Sequence, residues 1–199
     1  MRFSFECEVC RKELFGKEEL LCEDCNGEME RFTSPSFSNK EYFLYSIYFY
    51  KGIVRDLIRK FKYNDARYLS TFFAKKIAEY LILNDIKPEA ISYIPMNRWK
   101  RYVRGYDQAR DLAFETAKIM NVDFYEILKR KKWTKRLYNL DKSSREKTLK
   151  DCFSTNGKHR EKSILVIDDI VTSASTINEA YRSLIESGYT SVAFLCLAK

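Results

Sequence analysis

Apolar residues along this chain fall into two alternating patterns. Residues 91–94, 164–167 and 190–197 are short, largely apolar runs bounded by polar or turn-forming residues. Runs of that length predict strands buried on both faces, since a half-exposed strand would alternate polar and apolar positions. A run at 44–50, closed by Gly52, and a segment around Ile127 bring the expected strands to five. Between them the period lengthens to that of a helix. Residues 53–60 and 66–83 read as amphipathic helices, the second with Leu69, Phe72, Phe73, Ile77, Tyr80 and Leu81 as its apolar positions and Asn64-Asp65 as its cap. A third runs from about 107 to 120, and a fourth begins near Ile177 and is stopped by Gly188. Strands alternating with helices predict a mainly parallel sheet covered on both faces, a three-layer α/β domain.

With 199 residues, 45% of them hydrophobic, the chain can build one good-sized core and a small appendage. No apolar run approaches the roughly 20 residues that span a bilayer. The longest is FLYSIYFY at 43–50, which is strand-sized. The first ten residues, MRFSFECEVC, lack the apolar stretch of a secretory signal, so the expected location is the cytoplasm. The segment SPSFSN at 34–39 has the composition of a short linker. It divides the chain into an N-terminal module, residues 1–35, and a main domain, residues 36–199.

The module carries two CxxC pairs, Cys7/Cys10 and Cys22/Cys25, separated by eleven residues. Each pair can present two thiolates to one metal ion, and four thiolates complete the closed tetrahedral shell of structural zinc. Disulfides would use the same residues, but they are disfavoured in a cytosolic chain. A module of about 30 residues holds little apolar core, so a bound metal would supply most of its folding energy. With all four positions taken by cysteine, the role expected of that metal is structural or in binding, not catalytic. Cys152 and Cys196 stand among apolar residues and read as core fillers.

Chemistry concentrates at two places in the main domain. The first is ILVIDDIVTSAST, residues 164–176: a buried strand, two acids where it should end, small hydroxyl residues, then a helix. Ligands of open α/β sheets bind beyond the carboxyl ends of the strands. The N–H groups that open a helix lack intrahelical acceptors. With the helix dipole and the hydroxyls of Thr172, Ser173, Ser175 and Thr176, they suit a phosphate. Asp168 and Asp169 suit ribose hydroxyls, or a magnesium ion that shares oxygens with them. An ordinary alternative exists: an acid pair ending a core strand, with Thr176 and Glu179 forming a capping box. The second place is IPMNRWKRYVRGYDQARDLA, residues 94–113, read as a strand, a basic glycine-containing loop and a helix. Arg98, Lys100, Arg101 and Arg104 put four cations within seven residues, a cluster that suits a pyrophosphate with its magnesium.

Residues 164–176 resemble, position by position, the 13-residue phosphoribosyl-pyrophosphate (PRPP) signature of the type I phosphoribosyltransferases, with Ala174 where glycine is usual. The resemblance implies that Asp168 and Asp169 hold the ribose hydroxyls and that Thr172, Ser173, Ala174, Ser175 and Thr176 wrap the 5′-phosphate. Added to it are the double CxxC, YKGIVRDLIRKFK at 50–62, and the block from Pro95 through RGYDQA at 104–109. Together these resemble the competence-associated ComF/GntX family of phosphoribosyltransferase-like proteins over essentially the whole chain. The architecture this implies is the parallel sheet of a type I phosphoribosyltransferase, with the zinc module and first helices as a hood over its carboxyl edge. Asp107 stands where that family usually has asparagine. The family's downstream block resembling TxxQxxLxxxxRxxN is represented by Thr134, Leu137, Leu140, Arg145 and Thr148, without its glutamine and asparagine.

The net charge of +8 points to a phosphate-rich partner, and between residues 98 and 136 there are 12 Lys/Arg against five Asp/Glu. The block at 129–153 sets Trp133 and Tyr138 among its cations. It could bind single-stranded nucleic acid by phosphate contacts and base stacking, or fold back as a flap on the core. Two functional readings stay open. In one, an enzyme of the glycosyltransferase class displaces pyrophosphate from C1 of PRPP, and Asp168 and Asp169 act in catalysis by stabilising positive charge there. No general base and no acceptor-recognition segment is identified. In the other, a non-catalytic PRPP sensor binds single-stranded DNA and works with a helicase or recombination partner in DNA uptake, as the family's link to natural transformation implies.

Overall fold

A computed structural model describes residues 5–14, 20–32, 37–38, 41–63, 65–131, 151–159, 162–171 and 174–199. Asn64, Thr172, Ser173 and the block 132–150 lie outside the described residues, and with them the expectations placed on Trp133, Tyr138 and the pattern from Thr134 to Thr148. In chain order the elements are β1 (Phe5–Glu6), β2 (Glu13–Leu14), α1 (Glu23–Gly27), β3 (Phe37–Ser38), β4 (Phe43–Tyr48), α2 (Gly52–Tyr63), α3 (Leu69–Leu83) and β5 (Ala90–Tyr93). They continue with α4 (Arg98–Arg104), α5 (Gln108–Met120), β6 (Asp123–Phe124), β7 (Leu128–Arg130), β8 (Phe153–Thr155), β9 (Ile164–Ile170), α6 (Ser175–Glu186) and β10 (Val192–Ala198).

Six strands form one sheet in the order β3-β4-β10-β9-β5-β6, parallel throughout except for β3 at the edge. Ile164, Leu165, Val166 and Ile167 of β9 are each at most 2% exposed. Burying one side chain of that size is worth about 1.5–3 kcal/mol, so the run commits β9 to the centre of the sheet. Successive residues of a strand face opposite sides, and the two apolar clusters divide accordingly. Leu165 and Ile167 pack with Phe61 of α2, Phe73 and Ile77 of α3, and Leu112 of α5. Ile164 and Val166 pack with Ile177, Ala180 and Leu184 of α6 and with Phe153 of β8. The three-layer, mainly parallel α/β architecture read from the sequence is therefore the one observed.

Two local expectations differ from it. The strand expected near Ile127 is divided: β6 is the parallel edge, while β7 leaves the sheet and pairs antiparallel with β8. Ile127 is fully buried between them, so its hydrophobicity reports a core position and not a place in the sheet. The cap expected at Asn64-Asp65 is also displaced. Asp65 has φ of 51°, a left-handed turn, and α3 begins at Leu69 after Tyr68, which makes no side-chain cap bond.

In the cysteine module, β1 and β2 form an antiparallel pair and Cys22 caps the short α1. The chain then runs beside the end of β4: the Phe32 N–H donates to the Ile47 carbonyl at 2.9 Å and the Phe49 N–H to the Glu30 carbonyl at 3.1 Å. Cys7, Leu21, Cys22, Cys25 and Met29 share one apolar cluster with Leu57, Ile58 and Phe61 of α2. This packing seats the module against α2 at the carboxyl end of the sheet. Among the described residues, no helix is long and apolar enough to cross a membrane.

Candidate functional site

β9 continues through both acids to Ile170, with Asp168 opposite Cys196 of β10. Alternation along the strand turns Asp169 towards the face covered by α2, α3 and α5, and Asp168 towards the α6 face. On its side Asp169 meets Lys62, the penultimate residue of α2. The Lys62 Nζ lies 2.9 Å from Asp169 Oδ2, and the two side chains are only 16% and 14% exposed. Burial, and then the charge of Asp169, push the Asp168 carboxyl well above the usual carboxylate range. The Asp169 N–H, donating to Asp168 Oδ1 at 2.9 Å, and the Lys62 ammonium oppose that rise.

The basic segment is a helix, not the loop its glycine suggested. Asn97 caps α4 by accepting the Trp99 N–H at 2.9 Å, and Gly105 ends it at φ of 79°, a left-handed position that suits glycine. Between them stand Arg and Lys, which are good helix formers. The helix gives its four cations different places. Lys100 keeps solvent access, yet desolvation of its ammonium and then the nearby Arg104, Arg130 and Lys62 lower its pKa, while Asp169 acts in the opposite sense. Arg101 acts on the buried Asp107. The Arg104 guanidinium lies 4.9 Å from the centroid of the Tyr63 ring and donates to Gln108 Oε1 at 2.8 Å, so it is held between α2 and α5. Arg98 makes no hydrogen bond or ion pair among the described residues. Of the four predicted pyrophosphate residues, Lys100 is thus the one most closely associated with the acid pair.

Asp107 fixes the geometry between β5 and α5. One carboxylate oxygen accepts the Met96 N–H at 3.1 Å and the other accepts the Arg110 N–H at 3.4 Å, at the start of α5. Burial raises its pKa to about 6, and the charge of Asp169 adds to the rise. From the opposite direction Arg130, on β7, lies with its guanidinium 5.4 Å from the Phe153 ring centroid and within electrostatic reach of Asp168.

Beyond the strand, α6 opens at Ser175 with Ala174 as its cap residue. The ordinary capping box is not formed. Thr176 is already inside the helix, and the Glu179 carboxylate instead accepts the Asp151 N–H at 2.7 Å and pairs with Arg182 at 2.7 Å. Ala174 has φ of −67° and ψ of −5°, an ordinary right-handed conformation, so glycine's freedom is not needed there. Ser175 is buried and Thr176 half-buried, which leaves Thr176 as the described hydroxyl of this loop with solvent access. Thr172 and Ser173 lie outside the described residues.

The second centre is the cysteine cluster. The sulfur atoms of Cys7, Cys10, Cys22 and Cys25 all lie within 4.8 Å of one another, and Cys10 and Cys22 are 3.6 Å apart. A tetrahedral shell with Zn–S near 2.3 Å spaces its sulfurs roughly 3.8 Å apart. The donor set therefore fits zinc. Backbone N–H groups already point at these sulfurs: Cys22 donates to Cys7 Sγ at 3.4 Å and Cys25 to Cys22 Sγ at 3.5 Å. Burial works to raise the Cys7 thiol's pKa, but the N–H groups of Cys10, Cys22 and Val9 outweigh it and bring the group below the ordinary thiol value. Burial and the neighbouring thiols push Cys25 well above it. Cys152 and Cys196 are fully buried, as core fillers should be.

Three residues of the acid-pair neighbourhood were not identified as site residues from the sequence. Lys62 lay inside the quoted segment at 50–62, but nothing in a helix-forming stretch tells which lysine turns inward. Arg130 had only its place in a basic block as a signal, and Asp107 only its departure from asparagine.

The chain thus has a mainly parallel sheet, an acid pair at the carboxyl end of a central strand and a basic helix beside it. Over 99% of its length it is 25% identical to competence protein F of Haemophilus influenzae, covering 98% of that protein. It is 26% identical to competence protein ComFC of Bacillus subtilis, over 84% of this chain and 67% of that one. Among solved structures it is similar to the glutamine phosphoribosylpyrophosphate (PRPP) amidotransferase from B. subtilis, with a TM-score of 0.42 and 17% identity over 62% of this chain and 25% of that one. No protein-family model matches the chain.

Proposed function

We propose that this chain binds PRPP with magnesium across the carboxyl end of β9 and β5. The observation that carries the reading is the convergence on one strand end of Asp168 and Asp169 with cations from separate elements, Lys62, Lys100 and Arg130. The carboxylates supply hard oxygen donors of the kind that ribose hydroxyls and magnesium accept. The first turn of α6 offers N–H groups to the 5′-phosphate. In transfer, an acceptor atom would form a bond to C1 as the bond from C1 to the pyrophosphate oxygen breaks, its electron pair leaving with the pyrophosphate. The side-chain cations would stabilise the negative charge that develops on the leaving group, and the carboxylates the positive charge at C1. Magnesium, when bound, would screen the diphosphate.

A melting experiment tests the binding. PRPP with magnesium should raise the melting temperature, and replacing both Asp168→Asn and Asp169→Asn should remove the rise. An unchanged wild-type curve would overturn the proposal. Pyrophosphate release from PRPP in the presence of a panel of bases then separates an enzyme from a sensor.

A second reading, single-stranded DNA binding in support of DNA uptake, has its own observation. The helix α4 buries none of its residues, and Trp99 and Tyr102 are 55% and 87% exposed between its cations. Exposed aromatic faces interleaved with Arg and Lys suit base stacking with phosphate contacts. Binding of an oligonucleotide should weaken steeply with salt, and Tyr102→Ala should weaken it at every salt concentration. Binding that ignores salt, or survives the loss of Tyr102 unchanged, would remove α4 from this role.

A further inference from the structure

The acid pair is not waiting empty-handed for its ligand. Asp169 already holds Lys62 at 2.9 Å, in a contact where both side chains are mostly shielded from water. The lysine is firmly mounted. Leu57, Ile58 and Phe61 of the same helix are buried in the core cluster they share with the cysteine module, and the Phe61 carbonyl accepts a hydrogen bond from the Tyr106 hydroxyl. Lys62 also has cationic company, since Lys62, Arg104 and Arg130 all lie within electrostatic reach of Lys100.

This arrangement treats two kinds of incoming group in opposite ways. A free divalent cation would have to displace or approach Lys62, with Lys100 beside it, and the carboxylates it needs are already partly neutralised. A metal carried on a polyanion brings a net negative charge, which the same cations attract. We propose that Lys62 is a resident counter-ion and positioning residue of the acid pair. It holds Asp169 against free divalent cations, so that metal enters as a complex with its polyanionic ligand, and it then turns to that ligand's phosphates. The second half of this inference rests on the PRPP reading; the first half does not.

The test uses the full-length protein, Lys62→Met and Lys62→Arg, with two measurements. The first is Mn2+ binding in the absence of PRPP, followed by the loss of the free-ion paramagnetic resonance signal. The second is PRPP binding in the presence of magnesium, by calorimetry. An opposite charge within hydrogen-bonding range moves a carboxylate's protonation equilibrium by at least about tenfold. Lys62→Met should therefore bind Mn2+ about tenfold more tightly than the wild type and PRPP with magnesium about tenfold more weakly. Lys62→Arg should stay close to the wild type in both, and adding Asp169→Asn to Lys62→Met should remove the gained Mn2+ affinity.

Opposite signs are the signature, because a merely damaged site would lose both. Mn2+ affinity that is unchanged or weaker in Lys62→Met overturns the counter-ion role. A wild type that binds no PRPP, beside a Lys62→Met variant that still gains Mn2+, overturns the PRPP reading and leaves the counter-ion role standing. Should Lys62→Met fail to fold, Lys62→Gln keeps a hydrogen bond to Asp169 without the charge and is read by the same two measurements.

Discussion

Two clusters of acidic groups, the four cysteines and the acid pair with its neighbour Asp107, solve one electrostatic problem differently. At the cysteines the sulfurs crowd within 4.8 Å of one another, and a cation within electrostatic reach of them, Lys12, is itself tied to Asp24 at 3.2 Å. Four thiolates in that space call for a metal ion, and a closed shell of four protein ligands leaves it nothing to exchange. At the acid pair, by contrast, the compensating charges come from side chains on three elements: Lys62 on α2, Lys100 on α4 and Arg130 on β7. Side-chain cations can let go. On the proposed reading, the first centre is built for permanence and the second for exchange of a ligand.

Removing the metal is the harshest way to break this comparison. Structural zinc contributes about 10–16 kcal/mol of binding free energy in isolated zinc-finger peptides. Here the cysteine module also shares its apolar cluster with α2. A strong chelator, or Cys7→Ser with Cys25→Ser, should therefore lower the melting temperature sharply and expose the α2 face that carries Leu57 and Ile58. PRPP affinity should fall with it, since Lys62 stands in the last turn of the same helix. Melting that is indifferent to the chelator would show that the module stands without a metal.

The two centres also differ in how far the sequence reveals them. The cysteine site is local: two CxxC pairs, eleven residues apart, place all four ligands within one short stretch. The strand leading into the acid pair was equally legible, because four consecutive apolar residues have nowhere to go but the middle of a sheet. What escaped was convergence. Lys62 reaches Asp169 from far earlier in the chain, and the helical period around it places several basic residues on outward and inward faces alike. The α4 helix was legible in principle: Asn97 and Gly105 are a cap and a stop around good helix formers, but the glycine and the charge density suggested a loop. At Asp65 a residue that commonly caps helices serves a left-handed turn, a conformation that aspartate also tolerates.

A smaller effect sharpens the electrostatic side of the comparison. The folded protein raises Asp107 from an ordinary 3.8 to about 6. Between about pH 4 and pH 6 the native state therefore keeps a proton that the unfolded state releases, so this residue's contribution to stability falls as pH rises through that window and stays low above it. Two units correspond to about 3 kcal/mol at most. Asp107→Asn removes that penalty but gives up one of two acceptor oxygens, worth about 1 kcal/mol. The variant should be more stable than the wild type by about 1–2 kcal/mol near pH 8, with the advantage gone near pH 4. Urea denaturation at the two pH values measures it, and an advantage independent of pH would mean that folding does not raise the Asp107 carboxyl.

The central claim is that the carboxyl end of β9 is a PRPP site, and calorimetric titration of the metal-loaded protein with PRPP and magnesium tests it most directly. The account predicts saturable binding at one site per chain, abolished by Asp168→Asn with Asp169→Asn while the melting temperature of the unliganded variant stays near that of the wild type. Equal binding by the wild type and the double variant, or no heat of binding to either, would contradict it.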